Sequence, residues 1–283
     1  MEKLLADIQA LGSAATRSQL RTLGWSHRAI RQAVADERVI AFTRSWVGSA
    51  STPAFIALAL GMRGLVGGAA ALRTYGVWVA ETPHPVVSLP RKRALPTIPS
   101  GVGYCRGDGD ADARFPWRVG VVEALAQYVR STREYWAVAA VDSALNKGVI
   151  TKDDLGTLAS SLNREQRRWL RRVNRRAESG LESILRLACL DQGWTVEVQV
   201  TVPGGRVDLV INGWLFIEID GSEFHDLAEQ AKKDRARNNV IVRMGYRWHR
   251  FGYRDIRHDL DRSIETIRRI LRQGSPTVRV TKS

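Results

Sequence analysis

Apolar residues recur at helical spacing from the start of the chain: Leu4, Leu5, Ile8 and Leu11 share one side of residues 2–11. Ser13 to Thr16 leads into a second short helix that stops near Leu23-Gly24, where glycine is a termination signal. Ser26 is placed to cap a third helix, His27 to Ala35. That helix turns Ala29, Ile30, Ala33 and Val34 inward and His27, Arg28, Arg31 and Gln32 outward. Val39 to Val47 reads as a small β-wing with Arg44-Ser45 near its tip. Residues 54–99 predict an apolar helix, a helix around Ala69 to Leu72, and a strand from Pro85 to Leu89. Gly101 to Arg114, rich in Gly and Asp, reads as a flexible connection. Val121 to Val129 and Trp136 to Leu145 have the composition of core helices.

The pattern changes near residue 180. Leu181 to Leu190 is amphipathic with helical spacing, and Thr195 to Val202 then alternates strictly, with Val196, Val198, Val200 and Val202 on one side. Two more alternating runs follow, Val207-Leu209-Ile211 and Leu215-Ile217-Ile219, with the hairpin signal Asn212-Gly213 between them. A polar helix from Leu227 to Met244, a strand from Arg247 to Phe251 and a helix from His258 to Leu271 complete the order.

Into this hairpin the sequence places three carboxylates, Asp208, Glu218 and Asp220. Acids are rare inside strands, because desolvating a carboxylate is costly unless it is paired or bound to a metal. Glu218 and Asp220 are two apart and share a face. Asp208 joins that face only if the loop has an odd number of residues. The expectation is therefore a three-residue loop, Ile211-Asn212-Gly213, with Gly213 left-handed. Three acids on one hairpin face make a site for a hard divalent cation. Each acid taken alone also has a structural reading, as a turn residue, a solvated face or the partner of an arginine.

Charge strengthens the chemical reading. Lys and Arg outnumber Asp and Glu by 43 to 29, a formal charge of +14, which favours a polyanionic partner. The most basic segment, Asn163 to Arg176, predicts a helix with Arg164, Arg168, Arg171 and Arg175 on one face, suited to gripping a phosphate backbone. Arg91-Lys92-Arg93 lies in a Pro-flanked loop, where such a run is as a rule simply solvated. The two cysteines, Cys105 and Cys189, have no metal-ligand spacing and suit a reducing cytoplasm. No signal core opens the chain, and the apolar stretches are too short to span a bilayer, so a soluble cytoplasmic protein is expected. No P-loop or dinucleotide fingerprint is present.

The last hundred residues resemble the PD-(D/E)xK nuclease fold, and within it the group similar to very short patch repair (Vsr) endonucleases. The resemblance rests on Glu182 in the first helix, Arg206-Val207-Asp208, Ile217-Glu218-Ile219-Asp220-Gly221 and Phe224-His225. Asp234-Arg235, Arg237-Asn238, Gly245-Tyr246 and Arg250-Phe251 extend it. It implies Mg²⁺ or Mn²⁺ held by Asp208, Glu218 and Asp220, with Glu182 as a further acid of the site. The superfamily pattern ends in lysine where this chain has Asp220, as in the Vsr-like group, which leaves the proton-handling group open. His225, with an unperturbed pKa of ~6.5, is the first candidate, and Lys232 or Lys233 could reach back from the following helix.

The N-terminal sequence resembles the corresponding domain of AbiEi-type antitoxins, a winged helix-turn-helix whose third helix enters the major groove. On this reading His27, Arg28, Arg31, Gln32 and Arg44 contact DNA. Residues 54–99 continue the resemblance. The expected fold is α+β: a winged helix-turn-helix over 1–50, a mixed α/β middle region over 51–160, an arginine-rich linker helix over 161–176, and a restriction-endonuclease-like core over 177–283. The expected function is metal-dependent DNA cleavage or nicking in defence, repair or toxin–antitoxin-like control. The alternative is a non-cleaving DNA-binding regulator. Protein partners and a homodimer are left open by the sequence.

Overall fold

The computed structural model describes residues 2–80, 84–107, 109–202, 205–220 and 246–275. They divide into two compact units, Met1–Thr132 with Val149–Asn163, and Arg133–Gly148 with Arg164–Ser283.

The first unit opens with α1 (Glu2–Ala10), β1 (Ala14–Thr16), α2 (Arg17–Thr22), α3 (His27–Ala35), β2 (Ile40–Ala41) and β3 (Trp46–Gly48). Leu4, Ile8, Leu20, Ile30, Ala33, Val39 and Val47 meet in one core, with Leu5, Leu11, Trp25 and Val34 packed against it. Local capping sets the helix starts. Thr16 and Gln19 form a capping box at α2, and the Ser26 hydroxyl accepts from the Ala29 amide at 3.1 Å. The strands form an antiparallel sheet in the order β1-β3-β2. Ala14 to Thr16, the segment just before the second helix, is thus a strand paired with β3.

The same unit continues through α4 (Ala54–Gly61), β4 (Leu65–Val66), α5 (Gly68–Thr74), β5 (Val86–Leu89), β6 (Gly103–Arg106), α6 (Val121–Ser131) and α8 (Lys152–Ser160). Strand β5 pairs antiparallel with β4 and parallel with β6. The Gly101–Arg114 connection therefore contains a strand, Gly103 to Arg106, paired from Val86↔Gly103 to Leu89↔Arg106. Its glycine and its exposed Tyr104 leave no alternation to read, and the strand exists because β5 supplies the ladder. Buried Gln127 ties the sheet to the helices, accepting from the Gly68 amide and donating to Ser88, both at 2.9 Å.

The second unit holds α7 (Glu134–Asn146), α9 (Arg164–Leu170), α10 (Gly180–Asp191), β7 (Val196–Val202), β8 (Gly205–Ile211), β9 (Leu215–Asp220), β10 (Arg247–Gly252), α11 (Tyr253–Arg257) and α12 (Leu260–Arg272). The sheet order is β10-β9-β8-β7, antiparallel except for the parallel pair β9–β10. Helix α7 packs on α10 through a buried cluster. Asp142 accepts from Arg186 Nη2 at 2.9 Å, Ser183 Oγ at 2.7 Å and the Asn174 amide at 2.6 Å.

Four further features depart from the sequence expectations. The arginine helix ends at Leu170, so Arg164 and Arg168 lie on α9 while Arg171 and Arg175 lie in turns, and the four do not share one helical face. Arg172 stops the helix by pairing with Glu134 at 2.6 Å and Asp191 at 2.5 Å, which draws the chain toward α7 and α10. The hairpin loop is odd, as the acids require, but it comprises Asn212, Gly213 and Trp214, because Ile211 pairs with Leu215. Both Asn212 and Gly213 are left-handed, with φ of 51° and 74°. Strict alternation in β7 breaks at Gln199, whose φ is 53°, so Val198 and Gln199 are both buried. The final helix is split into α11 and α12 at His258-Asp259. The expected helix Leu227 to Met244 lies outside the described residues.

Candidate active site

Three elements of the second unit bring the acids together. Ser179 caps α10 by accepting from the Glu182 amide at 3.1 Å, which places Glu182 in the first helical turn. Glu182 is 4% exposed, and its Oε2 accepts from the Glu178 amide at 3.0 Å. Burial raises its carboxyl pKa, and Asp208 raises it further, against hydrogen bonds from Gln199, the Glu178 amide and Ser179.

Gln199 is the joint of the site. Its Nε2 donates to Glu182 Oε2 at 2.7 Å and to Asp208 Oδ1 at 3.2 Å, so one side-chain amide bridges two carboxylates from different elements. Its carbonyl accepts from Arg176 Nη2 at 2.9 Å. A buried, non-glycine residue in the left-handed region costs about 1–3 kcal/mol, and the bridge accounts for that conformation being held.

Asp208 stands where the β8–β9 ladder ends. The last backbone pair is Leu209↔Ile217, and beyond it Asp208 Oδ2 accepts from the Ile219 amide at 2.8 Å in place of a strand carbonyl. Continuing the register brings Asp208 level with Glu218. Glu218 is 7% exposed and faces Arg250 on β10, its cross-strand partner, with Arg250 Nη2 at 3.6 Å. Arg250 Nη1 also lies 3.4 Å from Asp220, and its guanidinium is 5.4 Å from the Trp248 ring centroid.

The site therefore divides into two linked halves. Gln199 joins Glu182 to Asp208, and Arg250 joins Glu218 to the half-exposed Asp220. The three-acid cation site expected of the hairpin is not assembled. Among the described residues, no group of three or more His, Cys, Asp or Glu side chains is arranged to hold a metal ion. Asp220 is drawn toward Arg250 because a guanidinium on the neighbouring strand offers both acids a common partner. Asp208 and Glu218, carboxylates level with each other on adjacent strands, keep the donor chemistry of a hard-cation ligand pair.

His225, Lys232 and Lys233 lie outside the described residues. In the first unit, His27, Arg28, Arg31 and Gln32 are exposed on α3, with Gln32 donating to Asp36 at 2.8 Å, and Arg44 is exposed between β2 and β3. Arg164, Arg168, Arg171 and Arg175 are exposed in the second unit. Sequence reasoning missed Gln199 and Arg250 as site residues. Gln199 sits on the polar side of an alternating strand, and its approach to Asp208 follows only from the β7–β8 register, in which Val198↔Leu209 and Val200↔Val207 flank the two. Arg250 already belongs to the Arg250-Phe251 pair that extends the family resemblance, but its place in the site follows from the parallel pairing that sets it opposite Glu218.

Residues 182–271 match the family model REase_MTES_1575, a restriction endonuclease-like family. The match takes in Glu182, Gln199, Asp208, Glu218, Asp220 and Arg250, and it supports a nuclease-like C-terminal domain, with DNA as the implied substrate. Restriction endonuclease-like folds generally use divalent metals. Comparison with curated proteins finds no match. No helix among the described residues is long and apolar enough to cross a membrane.

Proposed function

We propose that the chain is a metal-dependent DNA endonuclease or nickase positioned on DNA by an N-terminal winged helix-turn-helix. The observation that carries this reading is the Gln199 bridge between Glu182 and Asp208, beside Glu218, inside the restriction endonuclease-like match. Asp208 and Glu218 would hold Mg²⁺ or Mn²⁺, with Glu182 and Asp220 as supporting acids. When bound, the cation supplies Lewis acidity to the scissile phosphate and its attacking water. Gln199 and the Ile219 amide fix the two oxygens of Asp208, so the carboxylate needs no reorientation to bind. Arg250 holds Glu218 and offers positive charge beside the reacting phosphate. His225, or else Lys232 or Lys233, would handle the proton. The exposed side of α3 and Arg44 would read and grip duplex DNA, and the 164–175 arginines would hold backbone. The resemblances point such an activity toward defence, repair or toxin–antitoxin-like control.

Arg250 favours a second reading, a DNA-binding regulator that does not cut, because the pairing of one guanidinium with both Glu218 and Asp220 can substitute for a cation. Incubating the purified protein with supercoiled plasmid, with Mg²⁺, Mn²⁺ or EDTA, decides between them. Cleavage that needs the metal and disappears in Asp208→Ala and Glu218→Ala, with DNA affinity held within a few-fold, supports the enzyme. DNA binding with no cleavage under either metal supports the regulator.

A further inference from the structure

The first unit carries a cavity of about 860 Å³ between the β2–β3 turn and the β4–β5–β6 sheet, within the ~300–1,000 Å³ range of small-molecule sites. Its walls have a definite chemistry. Arg44, Arg63 and Arg93 line it, and all three are exposed. None of them forms an ion pair with an acid among the described residues, and no described lining residue is acidic. Such a concentration of guanidinium groups, gathered from three separate segments, makes an anion site and specifically suits phosphate, which accepts their fork of donors.

Two further features narrow the ligand. Phe42 and Trp46, both half-buried, give the cavity planar apolar walls, the surface on which a nucleobase stacks. Phe42 is held against Gly48, where an added Cβ would fall 2.5 Å from its ring. Gly61, Gly64, Gly107 and Gly109 also line the cavity. A Cβ at Gly64 would lie 2.6 Å from the Ser88 carbonyl, so glycine there lets β4 press on β5 and leaves Ser88 at the cavity surface. Arg63 is left-handed, with φ of 57°, immediately before this glycine.

The basic loop is held in place. Arg106 Nη2 donates to the carbonyls of Arg91 at 3.0 Å and Arg93 at 2.7 Å, which pins Arg91-Lys92-Arg93 beside β6 and presents Arg93 at the cavity. One member of an otherwise solvated charge run, Arg93, is thereby set at a concave site.

We propose that this cavity binds a nucleotide, its phosphate held by Arg44, Arg63 and Arg93 and its base set against Phe42 and Trp46. The nucleotide could be free in solution or one unit of a single strand, since both present the same phosphate and base. The inference does not depend on the nuclease reading, because the site lies in the other unit and binding is measured without cleavage.

The test is calorimetric titration of the full-length protein, in EDTA, with AMP, adenosine, inorganic phosphate and a 5′-phosphorylated single-stranded dinucleotide. AMP or the dinucleotide should bind more tightly than adenosine and phosphate alone, since only they engage both walls. Whichever of the two binds more tightly names the source. Arg63→Ala and Arg93→Ala should each weaken that binding about tenfold or more, as expected when one charge-assisted hydrogen bond is removed. Both side chains are exposed, so an unchanged melting temperature certifies the fold. No binding by AMP or the dinucleotide, affinity no greater than that of inorganic phosphate, or binding unaffected by the Arg63→Ala/Arg93→Ala double variant would overturn the proposal.

Discussion

Gln199 combines a left-handed backbone with two hydrogen bonds to carboxylates, and each feature predicts a different response to substitution. Gln199→Gly relieves the backbone strain while removing the bridge. The variant should melt at or near the temperature of the parent, yet lose roughly 10–100-fold in metal affinity or cleavage, as outer-sphere positioning groups do when removed. Calorimetric Mg²⁺ binding beside a thermal melt separates the two effects, and parental metal affinity in the glycine variant would remove Gln199 from the site. Asp112 predicts a pH effect in the other unit. Burial pushes its carboxyl up, but the Phe115 amide, Tyr75 and Arg118 outweigh burial and hold the pKa below the usual carboxylate range. A depressed acid stabilises the fold above its unfolded-state pKa of ~3.9, and that stability is lost as pH falls through the folded value. Melting temperature should fall over this acid range, and Asp112→Asn should flatten that part of the curve; an unaltered curve would show that other groups carry the acid response. At this scale the candidate acids were legible, because charged residues interrupt apolar alternation at Asp208, Glu218 and Asp220. Gln199 was not, because a polar residue at a polar position of a strand breaks no rule.

Elements were legible where their own periodicity dictates them and hidden where a neighbour supplies the reason. Helix α3 is marked by Ser26 and by its amphipathic pattern, and it forms from His27 to Ala35 as read. Strand β10 likewise follows its expected span, Arg247 to Gly252 against Arg247 to Phe251. Strand β6 and the end of α9 were not legible, since one depends on pairing with β5 and the other on the Arg172 ion pairs with Glu134 and Asp191. The join between α7 and α10 is of the second kind. Asp142 and Arg186 have side chains 1% and 5% exposed, so removing either leaves a buried charge without its partner. Asp142→Ala should destabilise this unit by about 3–5 kcal/mol, while replacing both members with apolar residues, Asp142→Leu with Arg186→Met, should cost less than the single change. Denaturant unfolding of the full chain measures both. A double variant as unstable as Asp142→Ala would mean that Asn174 and Ser183, not the ion pair, determine the cost.

For the whole molecule, the excess of 43 basic over 29 acidic residues is a statement about partners before any fold is known. It does not say which surface reads a sequence. If α3 is the reading helix, Arg31→Ala and Gln32→Ala in the full chain should each relax base preference by ~1–3 kcal/mol at the base pair that side chain reads, with non-specific affinity little changed. Selection of preferred duplexes from a random pool, repeated with each variant, measures this, and identical preferences would move recognition to the nuclease-like domain. Sequence alone determined the α+β class, the order of elements from α10 to the hairpin, the odd loop that the acids require, and the basic character of the chain. These follow from periodicity, turn chemistry and composition, which are local or additive. Tertiary structure decided the rest: that Gln199 bridges Glu182 and Asp208, that Arg250 draws Asp220 toward itself, that α7 packs with α10, and that Arg44, Arg63 and Arg93 converge on one cavity. Those facts depend on the register of strands and on the approach of segments 9 to 49 residues apart in the chain. Spacing along a sequence does not encode such proximity; the packing of the apolar faces creates it.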